Sequence, residues 1–544
     1  MKIHAIAALT FVLAVSACAP KGVSFSWAEG QEGFANPSWR ADKAIAEAVI
    51  KTDADLASVT VQMSALKSGS SVIPAEGVKA ELIGEVLGEK LDTARFGQCG
   101  ERNTTDWEAI SVADLIGVAE SVDVAAGAEQ KVWLSVKVPA GTPAGTYTGK
   151  LAVKASGKKL ATLPVSLTVL DETLPPVSEW GYHLDLWQNP YSVARYHGVE
   201  LWSEEHFAYL EPVMKMLAEA GQKVITTTIL DRPWNGQTED PFGSMVVKTK
   251  KVDGTWAYDY SIFDKWVEFM MGVGIDQQIN CYSLIPWSLA FDYIDEATGE
   301  QKIIHAAPGS KDYENYWGSF LYDFSKHLRA KGWFEKTMIA MDERPKEAMA
   351  AALALIKRID PEIKVALAGN YHEEIADDLD DLCITFREDY PEGVVEARRA
   401  AGKVTTVYTC CAEKYPNTFM ASDPDEGAWI AWNVLSRDVD GYLRWAYNSW
   451  TADPNKDARF RTWAAGDCYM VYPDAHSSVR FEKFAEGIRD YEKAKILKAR
   501  WEAEGNAEKL QALRTALDAF TMEKLGEEGP EPALTAARTV IYSE

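Results

Sequence analysis

Histidine and cysteine are scarce in this chain, eight and seven among 544 residues. The histidines are scattered with no HExxH pair, and the cysteines show neither CxxC pairing nor Cys/His zinc spacing. Those absences argue against a metal site, and neither metal nor cofactor is expected. Strand-like settings such as Ile279-Asn280-Cys281-Tyr282 suggest instead that the cysteines after Cys18 (Cys99, Cys281, Cys383, Cys410, Cys411 and Cys468) are buried free thiols. Beyond the N-terminus no stretch approaches the roughly 20 consecutive apolar residues of a membrane-spanning helix. Basic runs are missing too. A formal net charge of −25 with no basic stretch to offset it argues against nucleic acid and phosphate-rich partners. What the chain has in quantity is apolar: 47% hydrophobic content can fill sizeable cores, in a length that allows roughly two to four domains. Much of its 19 Trp and 22 Tyr must be core, yet the excess favours a carbohydrate partner, because sugar rings stack on aromatic faces.

Met1 to Ala17 carries Lys2, then the apolar run Ala5 to Val15, then Ser16-Ala17-Cys18. This has the layout of a secretory signal whose apolar region is too short to span a membrane. Val15-Ser16-Ala17-Cys18 resembles a bacterial lipobox, which implies cleavage before Cys18 and lipid attached to it. Ala19 in the next place, rather than aspartate, implies the outer membrane. An exported, membrane-anchored lipoprotein tethered through Cys18 is the expectation, with residues 1–18 as its signal and lipobox.

Residues 22–175 read as an all-β domain. Val59-Thr60-Val61-Gln62-Met63 and Val132 to Val138 alternate apolar with polar, and Pro139-Ala140-Gly141-Thr142-Pro143-Ala144-Gly145 punctuates them. Short strands with regular turns predict a β-sandwich, ending at the stiff Leu174-Pro175-Pro176 linker. From 177 to 480 strand and helix alternate. Strands are expected near Gly181–Trp187, Lys223–Ile229, Gln278–Leu284, Lys336–Met341, Lys364–Ala368, Cys383–Phe386, Val404–Thr409 and Gly441–Tyr447. Eight strands with helices between them predict a (β/α)8 TIM-type barrel. The competing doubly wound sheet lacks a Gly-rich dinucleotide turn after its first strand. The fold class is thus multidomain α/β, closed by a helical extension over 481–544. In that extension Phe484, Ile488 and Tyr491 form a core-facing stripe, while the charges from Arg489 to Arg500 predict a solvated face.

Barrel chemistry gathers just beyond the strand C-termini. There the chain offers His183, Asp185 and Trp187, then Asp231, Trp234 and Gln237, then Tyr282 and Trp287. The fourth strand end carries Asp342 and Glu343. Asn370, Glu388, Tyr408 and Trp445 follow at the later ones. Met341-Asp342-Glu343-Arg344-Pro345 is the most informative of these. Two adjacent carboxylates at a strand end can lean into one pocket and take different roles if their environments differ. The competing reading is a helix start, where acids complement the dipole.

These stretches resemble glycoside hydrolase family 123, the β-N-acetylgalactosaminidase family with the domain of unknown function 4091. The likeness lies in Asp185-Leu186-Trp187-Gln188-Asn189-Pro190, Met341 to Pro345, Tyr415-Pro416-Asn417-Thr418-Phe419 and Gly441 to Trp450, with Ser477 to Arg480 and Glu486 to Glu492. The N-terminal turn region after Val138 resembles the family's leading sandwich domain. The resemblance implies a retaining exo-hydrolase that removes terminal β-linked N-acetylgalactosamine, using the sugar's own 2-acetamido group as nucleophile through an oxazolinium ion. By that resemblance Asp342 would orient the acetamide and Glu343 would protonate the leaving oxygen. Such chemistry asks for a charged Asp342 and a partly desolvated Glu343, and it needs no carboxylate across the ring. His183, Trp234, Tyr282, Asn370, Tyr408 and Trp445 are the residues expected to line the pocket, with Tyr282 or Tyr408 bonded to the acetamide. Arg344 departs from the family pattern, which more often has proline directly after the glutamate. Two alternatives stay open: a glycosidase pairing Glu343 with a distant acid such as Asp185 or Glu388, and a lipid-tethered glycan-binding protein without catalysis.

Overall fold

The structure, a computed structural model, describes residues 22–28, 33–91, 99–100 and 107–543. The expected signal segment and Cys18 lie outside the described residues. The chain forms two compact units, one of residues 22–83 and 117–173, the other of 84–116 and 174–543 as far as they are described. Residues 84–116, inside the stretch read as the first domain, thus cluster with the barrel.

The first unit is strand-rich. Val23–Trp27, Lys43–Thr52, Glu129–Lys137 and the first half of Val78–Glu89 form one antiparallel sheet. Leu56–Met63, Gly145–Ala155 and Lys158–Thr173 form the centre of another. The alternation read in the sequence turns one face of each sheet inward. Ala48, Ile50, Val132 and Leu134 from one sheet meet Val59, Leu151, Val153 and Leu167 from the other in a single apolar core. Burying each such Val or Leu contributes about 1.5–3 kcal/mol.

The second unit is built on eight parallel strands: β1 (His183–Leu186), β2 (Val224–Thr228), β3 (Gln278–Tyr282), β4 (Thr337–Met341), β5 (Lys364–Gly369), β6 (Asp381–Thr385), β7 (Val404–Tyr408) and β8 (Gly441–Arg444). They pair in chain order from β2 through to β8, and β8 pairs with β1. Between β1 and β2 there is one bridge, Leu184 to Gln222, and the Gln222 side chain accepts from Leu186 N at 2.9 Å. The barrel is nearly closed. Residues of β2, β3 and β4 are buried throughout, as parallel strands covered on both faces must be, and β-branched residues such as Val224-Ile225-Thr226-Thr227-Thr228 suit that setting. Helices follow the strands, among them Glu204–Glu219, Ser261–Gly272, Lys311–Lys331 and Lys346–Ile359. Ser203 and Ser310 cap two of them through their side-chain oxygens. A four-stranded sheet, Val247–Lys250, Trp256–Asp259, Ala290–Asp295 and Glu300–His305, is inserted around β3.

Two sequence motifs close the seam between β8 and β1. Asn448 accepts from Asn189 N and donates to Asn189 O, both at 2.9 Å, and Asn189 in turn caps helix Pro190–His197. Arg480, at the start of helix Val479–Glu504, is buried against Asp114 with Nε 3.1 Å from Oδ2. That pair joins 84–116 to the rest of the unit, together with the Leu87–Asp457 and Leu115–Ser478 bridges. In that helix Phe484, Ile488 and Tyr491 are core, as their spacing requires. Of the charges that follow, Lys495 and Lys498 are exposed as expected, but Arg489, Asp490, Glu492 and Lys493 are buried. Asp490 accepts from Arg538 Nε at 2.8 Å, and Glu492 accepts from Tyr182 N at 2.7 Å, so the later helices and β1 supply the partners that a helical wheel cannot reveal.

Candidate active site

At the C-terminal ends of the barrel strands lies a cavity of about 410 Å3, within the range of small-ligand sites. Each strand end contributes through the turn that follows it. Trp187 follows β1, Asp342 and Glu343 follow β4, Ala368 is in β5, Tyr408 ends β7, and Leu443 and Trp445 flank the end of β8. Loops add Trp234, Gln237, Trp287 and Trp463, with Cys99, Gly100 and Cys410 to Ala412 at one side. Trp187 and Trp234 stack with centroids 4.7 Å apart, and Tyr282 packs against both at 4.5 and 5.1 Å, giving an apolar wall. Trp445 is fixed by donating to Asp467 Oδ1 at 3.0 Å, the oxygen that also takes the buried Arg444 Nη2 at 2.7 Å.

The two acids differ in environment. Asp342 is buried and both side chains that donate to it do so on one oxygen: Trp287 Nε1 at 2.6 Å and Arg344 Nη2 at 3.2 Å from Oδ2. Oδ1 is buried without a hydrogen-bond partner. Burial raises the Asp342 carboxyl above the ordinary carboxylate range, while Arg344 and Trp287 pull it back toward ionisation. Glu343 is exposed at the cavity and accepts from Tyr408 Oη at 2.5 Å. Tyr408 is kept protonated by burial and by the adjacent Glu343, which suits it to donate.

The structure brings Asp342, Glu343, Trp234, Tyr408 and Trp445 together around this cavity and packs Tyr282 behind its aromatic wall. Asn370 is exposed one residue past β5 and is not among the lining residues. His183 opens β1 instead of ending it, which puts it at the opposite mouth of the barrel. There its Nε2 is 3.8 Å from Asp381 Oδ2. Burial lowers His183 to about 4, so the imidazole is neutral. The more distant acids are apart from the cavity as well. Asp185 is buried inside the barrel near Asn280, and Glu388 accepts from Tyr371 N. The sequence reading did not single out Trp463, nor Trp287 as the donor to Asp342. Both sit in loops, where no periodicity marks direction.

Cysteine also departs from expectation. Cys281, Cys383 and Cys468 are buried free thiols, but Cys99 and Cys411 form a disulfide with Cα atoms 5.6 Å apart. The sulfur of Cys410 lies within 4.8 Å of both, yet with two of the three sulfurs bonded to each other this cluster offers a metal one thiol.

Sugars bind by stacking on indole faces, and their acetals open by proton transfer to the leaving oxygen. The cavity provides both, and the chain is a glycoside hydrolase. It belongs to glycoside hydrolase family 123: the family's catalytic domain matches residues 187–497 and its N-terminal domain residues 28–155. A family 123 glycoside hydrolase from Clostridium perfringens, solved for the details of glycolipid glycan hydrolysis, is similar over 96% of this chain and 98% of its own, at 27% identity and a TM-score of 0.85. A family 39 glycoside hydrolase from Bacteroides cellulosilyticus matches 76% of this chain and 80% of its own at 13% identity and a TM-score of 0.36. A Bacteroides ovatus GH5 xyloglucanase matches 86% and 100% at 9% identity and 0.31. Those last two likenesses are too weak to bear on the site. No curated protein matches the chain.

Proposed function

We propose that this enzyme removes terminal β-linked N-acetylgalactosamine from glycans or glycolipids with retention, the 2-acetamido group acting as nucleophile. One observation carries the reading. Asp342 lines the cavity and is held by two donors on Oδ2 while the buried Oδ1 has no hydrogen-bond partner in the protein, which leaves one acceptor of this carboxylate for an amide N–H. The carbonyl oxygen of that amide then reaches the anomeric carbon and closes an oxazolinium ring. Glu343 gives its proton to the leaving oxygen and later takes one from water. Tyr408 fixes the Glu343 carboxyl group, and a sugar seated against it excludes water. An intramolecular nucleophile starts with the high effective concentration of a positioned group. Among the described residues, Asp342 and Glu343 are the carboxylates that line the cavity, so a distant acid has no place beside the sugar.

The wider reading is of a lipoprotein anchored at Cys18, with a β-sandwich over 22–175, a (β/α)8 barrel over 177–480 and helices over 481–544. The sugar specificity is tested with the 4-nitrophenyl β-glycosides of GalNAc, GlcNAc and galactose, on wild type, Asp342→Asn and Glu343→Gln lacking residues 1–18. Cleavage of the GalNAc substrate alone, lost in both variants, is expected. Cleavage of the galactoside with Asp342→Asn unaffected would overturn the reading.

A further inference from the structure

Arg344 directly follows the acid pair Asp342-Glu343, and the fold gives it a definite seat. Its Nη2 lies 3.2 Å from Asp342 Oδ2, its guanidinium centre is 5.8 Å from the Trp287 ring centroid, and its side chain is 15% exposed. Asp342 therefore has a cation beside it two residues along the same turn. The remaining neighbours do not substitute for it. Glu343, on the same turn, is a second carboxyl group and brings no positive charge. Tyr282, from β3, is a phenol held protonated by burial and surrounding carboxylates. Trp287, in the loop after β3, is an uncharged donor, and on the β5 side Ala368 and Gly369 bring no titratable group.

We propose that Arg344 is a positioning residue that keeps Asp342 ionised and its carboxylate fixed in place through Oδ2, extending activity to lower pH than the buried carboxylate would sustain unaided. The proposal rests on the acetamide-orienting role of Asp342. A protonated Asp342 could no longer accept the amide N–H with full strength or stabilise the charge that develops on the ring, so its ionisation sets the acid limb of kcat/KM. Burial alone pushes that limb upward, and the adjacent guanidinium opposes it.

The test compares pH profiles of kcat/KM on 4-nitrophenyl β-GalNAc for wild type, Arg344→Met, Arg344→Lys and Asp342→Asn. The acid limb of Arg344→Met is expected to move up by at least one pH unit. That makes the loss at the acid end about tenfold greater than above neutrality, since one unit is a factor of ten in ionisation ratio. Arg344→Lys, which keeps the charge without the fork, should bring the limb back. A purely structural role would scale kcat/KM by one factor at every pH in both variants, and that parallel result overturns the proposal. Melting temperatures identify any variant that fails to fold, and Arg344→Gln, which keeps hydrogen-bonding groups without the charge, then carries the test: its acid limb should also move up, and a profile parallel to wild type overturns the proposal. If Asp342→Asn keeps full activity, the functional reading itself has failed. If Asp342→Asn is inactive while the Arg344→Met profile is parallel to wild type, the failure is confined to Arg344.

Discussion

Asp342 takes its side-chain donors on a single oxygen, and one of them can be removed without touching charge. Trp287→Phe deletes the 2.6 Å bond to Oδ2 while leaving a ring in the cavity wall. A hydrogen bond to a charged group is worth about 1.5–3 kcal/mol, so kcat/KM on 4-nitrophenyl β-GalNAc should fall about ten- to hundredfold with little change in melting temperature. An unchanged kcat/KM would mean that Trp287 only walls the cavity. At this scale much of the site was legible. Asp342, Glu343, Trp234, Tyr408 and Trp445 stand just past apolar strands or between turn residues, and a barrel brings such positions to one mouth. His183 was not legible, because a shift of a few residues in where β1 starts carries a side chain from one mouth of the barrel to the other. Trp287 and Trp463 were hidden because a loop has no period from which direction can be read.

The strands themselves carry a second titration, remote from the cavity. Asp381 opens β6, accepts from Gln278 Nε2 at 2.7 Å, and is raised by burial from 3.8 to about 6. Between those values the folded state binds the proton that the unfolded state has released. The stability that Asp381 contributes is therefore full below about pH 4 and lost as pH rises through 6. Asp381→Asn removes that loss while keeping an acceptor for Gln278. Its melting temperature relative to wild type should rise between pH 4.5 and 7, by the equivalent of up to about 3 kcal/mol. His183, lowered to about 4, acts in the opposite direction, and because its Nε2 lies 3.8 Å from Asp381 the comparison is repeated in a His183→Gln background. A difference independent of pH would contradict this assignment. The strands and helices were legible from period and punctuation. The buried charges at Arg489 to Lys493 were not, since their partners Arg538 and Tyr182 are distant in sequence.

For the whole molecule, composition delimited the partner and the fold assembles the site. No single element makes the cavity: β1, β4, β5, β7, β8 and the loops between them each contribute a wall or an acid. The Cys99–Cys411 disulfide joins residues 312 apart, a pairing that spacing alone cannot give. The buried Asp114–Arg480 pair also joins 84–116 to the barrel's segments, again between positions far apart in the chain. What this assembly is proposed to do is make the substrate its own nucleophile, and that claim can be met directly. 4-Nitrophenyl β-glycosides of galactosamine bearing acetyl, fluoroacetyl, difluoroacetyl and trifluoroacetyl groups differ in the nucleophilicity of the amide oxygen, with little change in size. The account predicts that kcat/KM falls steeply with each fluorine. A flat series would contradict it and place the nucleophile on the protein.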